Sequence, residues 1–229
     1  LRDKPSDELR IDEQTFRDLE IFDTQGDDPS LYDLLNRTRT GGGNKVLRTR
    51  WKRPLSSVPR IHAVQDSIRH ILAHERSFNM LPGDSAVTAV EHYLYSGLAV
   101  VQSRKPVEIF LQAIESRVGN FRGYWKMVTG VKRTTQLIHT MRGIVDDPAL
   151  ADAPGELGDR LAEARVLLDR PAFQSLPGES VDELPFWKIA PIDRALRDEE
   201  RGTIELLLRV VFEIDALVSM ATAVRDHHF

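Results

Sequence analysis

The sequence predicts an all-α fold, a multi-helix bundle with long helices. Apolar residues recur at three- and four-residue steps along most of the chain. Almost no stretch shows the period-two alternation of a half-buried strand. The 229 residues are 41% hydrophobic and 29% charged, which is enough apolar material for a core and excludes a mainly disordered chain.

The elements follow in order. Ile11–Phe22 reads as a short helix or a strand and turn, and residues 23–30 read as a loop. Ser30 is placed to cap a helix over Leu31–Asn36. Gly41–Gly43 is expected to break the chain in a turn with positive φ, and the next helix is expected from Asn44 to Arg53, ended by Pro54. Pro59 opens a further helix with Ile61, Val64, Ile68, Ile71 and Leu72 on one face. Asp84 or Ser85 would cap a helix reaching Gln102, and Pro106 would begin another with Val107, Phe110, Leu111, Ile114 and Val118 along one side.

From Phe121 to Val145 the stripe is long: Phe121, Tyr124, Trp125, Val128, Val131, Ile138, Met141 and Val145, with Thr134 and Thr135 in its gap. Asp146–Gly158 reads as a loop and Leu161–Leu168 as a helix. Pro171–Pro191 reads as an ordered connection with little regular structure, pinned by Phe173, Phe186, Trp187 and Ile189. One helix, the longest, is expected over Ile192–Arg225, its stripe of Ile204, Leu207, Val211, Ile214, Val218 and Ala221 widened by Leu206, Val210, Leu217 and Val224. The total is about seven or eight helices.

Several chemistries are excluded or disfavoured. There is no cysteine, hence no disulfide, thiolate or cysteine-ligated zinc. No apolar run approaches membrane-spanning length, and residues 1–10 lack the pattern of a signal peptide. The net charge of −4 gives no global field toward nucleic acid. Gly41–Lys45 resembles a phosphate loop only in its glycines, since no Ser or Thr follows the lysine and no strand precedes the turn. His70 and His74 share a helix face at a spacing able to ligate a metal, but the plainer reading is two solvated histidines. Glu213 and Asp215 point to different faces of one helix and so do not form an acid–base pair. Ser219 has no histidine within helical reach. No catalytic, cofactor-binding or metal-binding residue is therefore assigned.

The local anomaly in charge is Arg37–Arg53, which holds seven basic residues and no acidic one. Lys45, Arg48 and Lys52 fall on one face, opposite Leu47 and Trp51. Together with Arg53 they form a candidate patch for DNA phosphates. The alternative is a solvated basic face that pairs with acidic neighbours such as Asp27 and Asp28 or with a partner domain.

Two blocks carry a family resemblance. Near the start, Ile11, Asp12, Thr15, Leu19, Glu20 and Ile21 precede Ser30-Leu31, Leu34–Thr38 and Thr40; Gly43, Leu47, Arg48, Trp51, Pro54, Leu55 and the Val58–Leu72 helix follow. Near the end stands Glu213–Ala221, EIDALVSMA. In this order they resemble the core domain of MutS-type DNA mismatch-repair ATPases, the last block resembling the segment that leads into the ATPase domain.

The resemblance implies a core bundle with long lever-type helices. Residues 1–145 would be the first part of the core, 146–191 a connection in place of a clamp, and 192–229 a helix returning to the core and leading to an ATPase domain. Glu213, Asp215, Leu217 and Ser219 would mark that junction. No F-x-E mismatch reader occurs, and Val145–Ile192 is too short for the family's clamp, so this resembles a clamp-less or clamp-reduced variant.

The first residue is Leu1 rather than Met, and the chain is expected to be a piece of a longer protein. That parent would use ATP and Mg, engage DNA, form a homodimer and act in the cytoplasm on the nucleoid, with no membrane role. The chain alone would be no enzyme. The competing reading is a helical protein–protein interaction module unrelated to DNA repair.

Overall fold

The computed structural model describes residues 8–24, 28–101, 121–178, 181 and 184–228. Among these residues it contains α-helices, short 3-10 and π turns and no strand, so the chain is all-α. An isolated bridge joins Glu8 to Leu55.

The helices are α1 (Glu13–Asp18), α2 (Leu31–Leu35), α3 (Gly41–Lys52), α4 (Val58–Ala73), α5 (Asp84–Leu94), α6 (Phe121–Val145), α7 (Gly155–Leu168), α8 (Pro171–Gln174), α9 (Phe186–Arg194) and α10 (Arg201–His227). They form two compact units. One comprises residues 1–81, 144–163 and 209–229; the other comprises 82–143 and 164–208. Both are discontinuous in sequence, so they do not coincide with the segments 1–145, 146–191 and 192–229. Helices α6, α7 and α10 each contribute residues to both.

In the first unit, Tyr32, Leu47 and Ala216 are buried together, with Phe22, Val46, Trp51 and Met220 packed around them. Helix α10 supplies Val211, Ile214 and Leu217 at zero exposure. In the second unit Val131, Ile138, Met141, Phe173, Ile189, Leu196, Ile204 and Leu207 are equally buried. Each such side chain stabilises the fold by roughly 1.5–3 kcal/mol.

Local chemistry sets the helix ends. Asp12, Ser30 and Thr40 cap α1, α2 and α3 by accepting the backbone N–H three residues on. After α1 the chain turns through Glu20 at φ 48°, and the Ile21 N–H reaches back to the Phe16 carbonyl at 3.1 Å, a left-handed helix stop without glycine.

Several boundaries differ from the sequence reading. Helix α3 begins at Gly41, not Asn44, and none of Gly41–Gly43 has positive φ. Gly42 and Gly43 serve close packing instead. Helix α5 follows Gly83 with no side-chain cap and ends at Leu94, well before Gln102. The helix expected from Pro106 lies outside the described residues. Trp125 is half-exposed rather than on the buried stripe of α6, and Leu206 is 41% exposed.

Helix α7 starts six residues before Leu161. The proline-rich connection is more regular than expected. Pro171 opens α8 and Pro185 caps α9, positions where a missing N–H costs nothing. Pro191 sits inside α9.

The expected single helix over Ile192–Arg225 is interrupted. A π turn spans Ala195–Glu199, and Glu200 leaves helical geometry at φ −114°. The turn holds Asp193 and Arg197 together on a buried network. Two guanidinium nitrogens of Arg197 donate to Asp193, at 2.8 and 2.5 Å, and the Tyr93 hydroxyl donates to the same carboxylate at 2.7 Å. Arg197 also donates to the Leu98 carbonyl at 2.8 Å. Asp193 and Arg197 stand at i and i+4, the spacing at which opposite charges pair along a helix, and here both are buried.

Candidate functional site

The two sequence blocks meet in the first unit. Residues 36–40 pass over α10, and the backbone amides of Arg37, Arg39 and Thr40 donate to it. The Arg37 N–H donates to Ser219 Oγ at 2.8 Å. The Arg39 N–H is shared between both Asp215 carboxylate oxygens at 3.0 and 3.1 Å. The Thr40 N–H and hydroxyl both donate to Asp215 Oδ2, at 2.9 and 2.7 Å. Asp215 and Ser219 lie one helical turn apart, so one face of α10 reads the loop.

Every residue type here is needed. Thr40 Oγ1 donates to Asp215 while accepting the Gly43 N–H at 2.9 Å, which only a hydroxyl can do. Asn36 shapes the loop by accepting the Thr38 N–H at 3.1 Å and its hydroxyl at 2.8 Å. A Cβ on Gly43 would lie 2.2 Å from Asp215 Oδ2, and one on Gly42 2.4 Å from the Phe212 ring. The glycines therefore let α3 approach α10, a role that composition alone cannot reveal.

Asp215 is fully buried. Burial pushes its carboxyl above the usual range, against the hydrogen bonds from Arg39 and Thr40 that favour the ionised form. It also occupies the place at the N-terminus of α3 where an anion would bind. Gly41–Lys45 is thus a packed helix start and not a phosphate loop.

A second tie lies beside the first. Arg50 of α3 donates to Glu156 of α7 at 2.6 Å and to Glu213 of α10 at 2.7 Å. Glu213 and Asp215 do point different ways, as the sequence indicated. Leu217, midway between Asp215 and Ser219 in the sequence, is buried. Further out, Arg37 pairs with Asp226 at 3.3 Å, and Arg39 donates to the Phe78 carbonyl at 3.0 Å. The basic run is therefore partly structural. Sequence reasoning missed the Glu156 partner because nothing local links residues 50 and 156.

The four candidate phosphate contacts remain on the surface. Lys45, Arg48, Lys52 and Arg53 are exposed while Leu47 is buried and Trp51 half-buried. The Arg48 guanidinium lies 4.6 Å from the Phe22 ring centroid and Lys52 Nζ lies 5.8 Å from it. Both cations thus lie over the face of one ring.

The histidine pair is not a solvated one. Both rings are half-buried and 4.4 Å apart, and His74 Nδ1 lies 3.0 Å from the His70 carbonyl. Among the described residues no group of three or more metal-ligating side chains converges, and no helix is long and apolar enough to cross a membrane.

A family model described as MutS domain III matches residues 14–221. The chain belongs to that family. The match takes in the first block from Thr15 onward, the whole of the second and everything between them. The matched family is a non-catalytic domain of MutS, a DNA mismatch-repair protein. Among curated proteins, none matches the chain. The Asp215–Thr40 tie is accordingly a feature of a MutS domain III, joining the start of the domain to its end.

Proposed function

We propose that this chain is the core and lever part of a longer, clamp-less or clamp-reduced MutS-like protein that binds DNA and hydrolyses ATP. In this reading the chain performs no reaction. It couples the state of an ATPase domain, reached through Glu213–Ala221, to DNA engagement elsewhere. ATP and Mg belong to the parent, which works as a homodimer in the cytoplasm on the nucleoid.

One observation supports this reading above the others. The helix face bearing Asp215 and Ser219, next to the expected junction, carries the amides of Arg37, Arg39 and Thr40 at the opposite end of the domain's sequence. Displacement of either segment disturbs all of these hydrogen bonds in a buried setting. Coupling between sites requires such an element, one that both ends can bias.

The test uses the full-length parent. Asp215→Ala with Ser219→Ala should leave DNA-independent ATP hydrolysis within about twofold and abolish its stimulation by DNA. Retained stimulation in a folded variant would exclude this role. Lys45, Arg48, Lys52 and Arg53 are the proposed phosphate contacts. Replacing each by Gln should make the slope of log affinity against log salt shallower by about one for every cation neutralised. An unchanged slope would remove the patch from the DNA interface.

A further inference from the structure

The first unit holds a groove that the proposed coupling does not use. It encloses about 740 Å³ between the N-terminal segment, α3 and α4. That lies within the range of pockets that take apolar ligands or side chains. Its walls are mostly apolar: Phe16, Val46, Trp51, Ile61, Val64 and Met220 line it, and each is only half-buried. The apolar face of α4, so clear in the sequence, is thus left incompletely covered in its first half.

The polar rim is asymmetric. Exposed Lys45, Arg53 and Arg60 stand on the groove, and Arg48 and Lys52 continue the basic surface of α3. Two of the lining carboxylates, Glu156 and Glu213, are both held by Arg50 at 2.6 and 2.7 Å. Their charge is neutralised locally; exposed Glu8 is the third lining carboxylate, and with Lys45, Arg53 and Arg60 against it the open edge is net positive.

We infer that this groove docks an amphipathic helix of a partner protein, with leucine-like residues on one face and carboxylates on its flank. Apolar anchors enter between α3 and α4, and the flanking carboxylates meet Lys45 and Arg53. This is helix-in-groove recognition with charge selecting the orientation. A nucleic acid would satisfy the cations but not the apolar floor. The inference is independent of the ATPase coupling and survives its failure; it draws on two of the four cations proposed above as phosphate contacts, so helix and DNA compete for Lys45 and Arg53.

The probe is a synthetic 14-residue helical peptide with leucines at helical spacing and glutamates between them. It is compared with a scrambled peptide of the same composition and with a lysine-for-glutamate version. Binding to the 229-residue chain is read by calorimetry, and by the emission of Trp51 in a variant carrying Trp125→Phe and Trp187→Phe, both at half-exposed positions. The amphipathic acidic peptide should bind at least tenfold more tightly than either control.

Lys45→Glu with Arg53→Glu, both surface changes, should reverse the preference between acidic and basic peptides. Val64→Asp should weaken binding at least tenfold with melting unchanged; if it unfolds the chain, Val64→Ser takes its place. Equal binding of the scrambled peptide, no binding at 100 µM, or indifference to the charge reversal would each overturn the proposal. So would self-association of the chain that buries Trp51.

Discussion

The Thr40 hydroxyl and the Asp215 carboxylate, 175 residues apart in sequence, meet at 2.7 Å with neither exposed to water. The same oxygen of Asp215 also takes the Thr40 N–H. A helix cap at the start of the domain is thus completed by a side chain near its end. The two most recognisable stretches of the sequence are one structural object.

The strength of this joint is measurable. Asp215→Ala leaves the Arg39 and Thr40 amides and the Thr40 hydroxyl buried without a partner. It should destabilise the chain by about 2–4 kcal/mol. Thr40→Val keeps the amide bonds and removes only the hydroxyl's two, so about 1–2 kcal/mol is expected. Urea unfolding of both variants checks the order; an equal effect would mean the carboxylate acts only through the cap.

The pH dependence has a definite sign. Burial raises the Asp215 carboxyl above its unfolded value of 3.8, so the native state binds the proton more tightly than the unfolded state. This contribution to stability is fully present below pH 3.8 and is lost as pH rises through the raised native value. Relative to Asp215→Asn, the wild type should therefore gain stability as pH falls from 7 toward 4. Chemical unfolding of both proteins across that range tests it; parallel curves would show that the hydrogen bonds cancel burial, and a loss of stability toward pH 4 that they outweigh it.

Gly155 gives a test of backbone geometry. Its φ is +60°, and a Cβ there would sit 2.1 Å from the Ala63 carbonyl oxygen. Gly155→Ala should cost about 2 kcal/mol or more, from strain and displaced backbone together. Gly143, exposed in α6 with open space around it, should respond oppositely. Gly143→Ala is expected to stabilise by roughly 0.5–1 kcal/mol. Thermal melting of the pair decides, and a stabilising Gly155→Ala would contradict the structure.

The buried charges at the π turn should be intolerant of partial removal. Asp193→Ala strands the Arg197 guanidinium and should cost about 3–5 kcal/mol. Tyr93→Phe removes one hydrogen bond and should cost about 1–1.5 kcal/mol. If Asp193→Ala with Arg197→Met is no more stable than Asp193→Ala alone, the pair is not coupled as described.

The core of α10 offers the plainest test. Leu207 has zero exposure, and Leu207→Asp should abolish cooperative melting. Leu206, its neighbour at 41% exposure, should tolerate the same change within about 1 kcal/mol.

Much of the fold was readable without coordinates because it is local. Three-and-four spacing, the Ser30 cap, the stop at Pro54 and the start at Pro59 act within a few residues, so they foretold the all-α class and most of the helices. The family was also legible, because its two blocks are strings of particular residue types. Boundaries governed by distant atoms were not. Gly41–Gly43 reads locally as a turn, and only the Phe212 ring and the Asp215 carboxylate show why a helix starts there. The Ile192–Arg225 stripe reads as one helix, and nothing in its spacing announces the break at Ala195–Glu199 or the burial of Asp193 against Arg197 and Tyr93. In the candidate site the sequence named Asp215, Ser219 and the basic face. It could not pair Asp215 with Thr40, Ser219 with Arg37, or Arg50 with Glu156. Those pairs span more than a hundred residues, and their energy depends on burial, which a linear string does not contain.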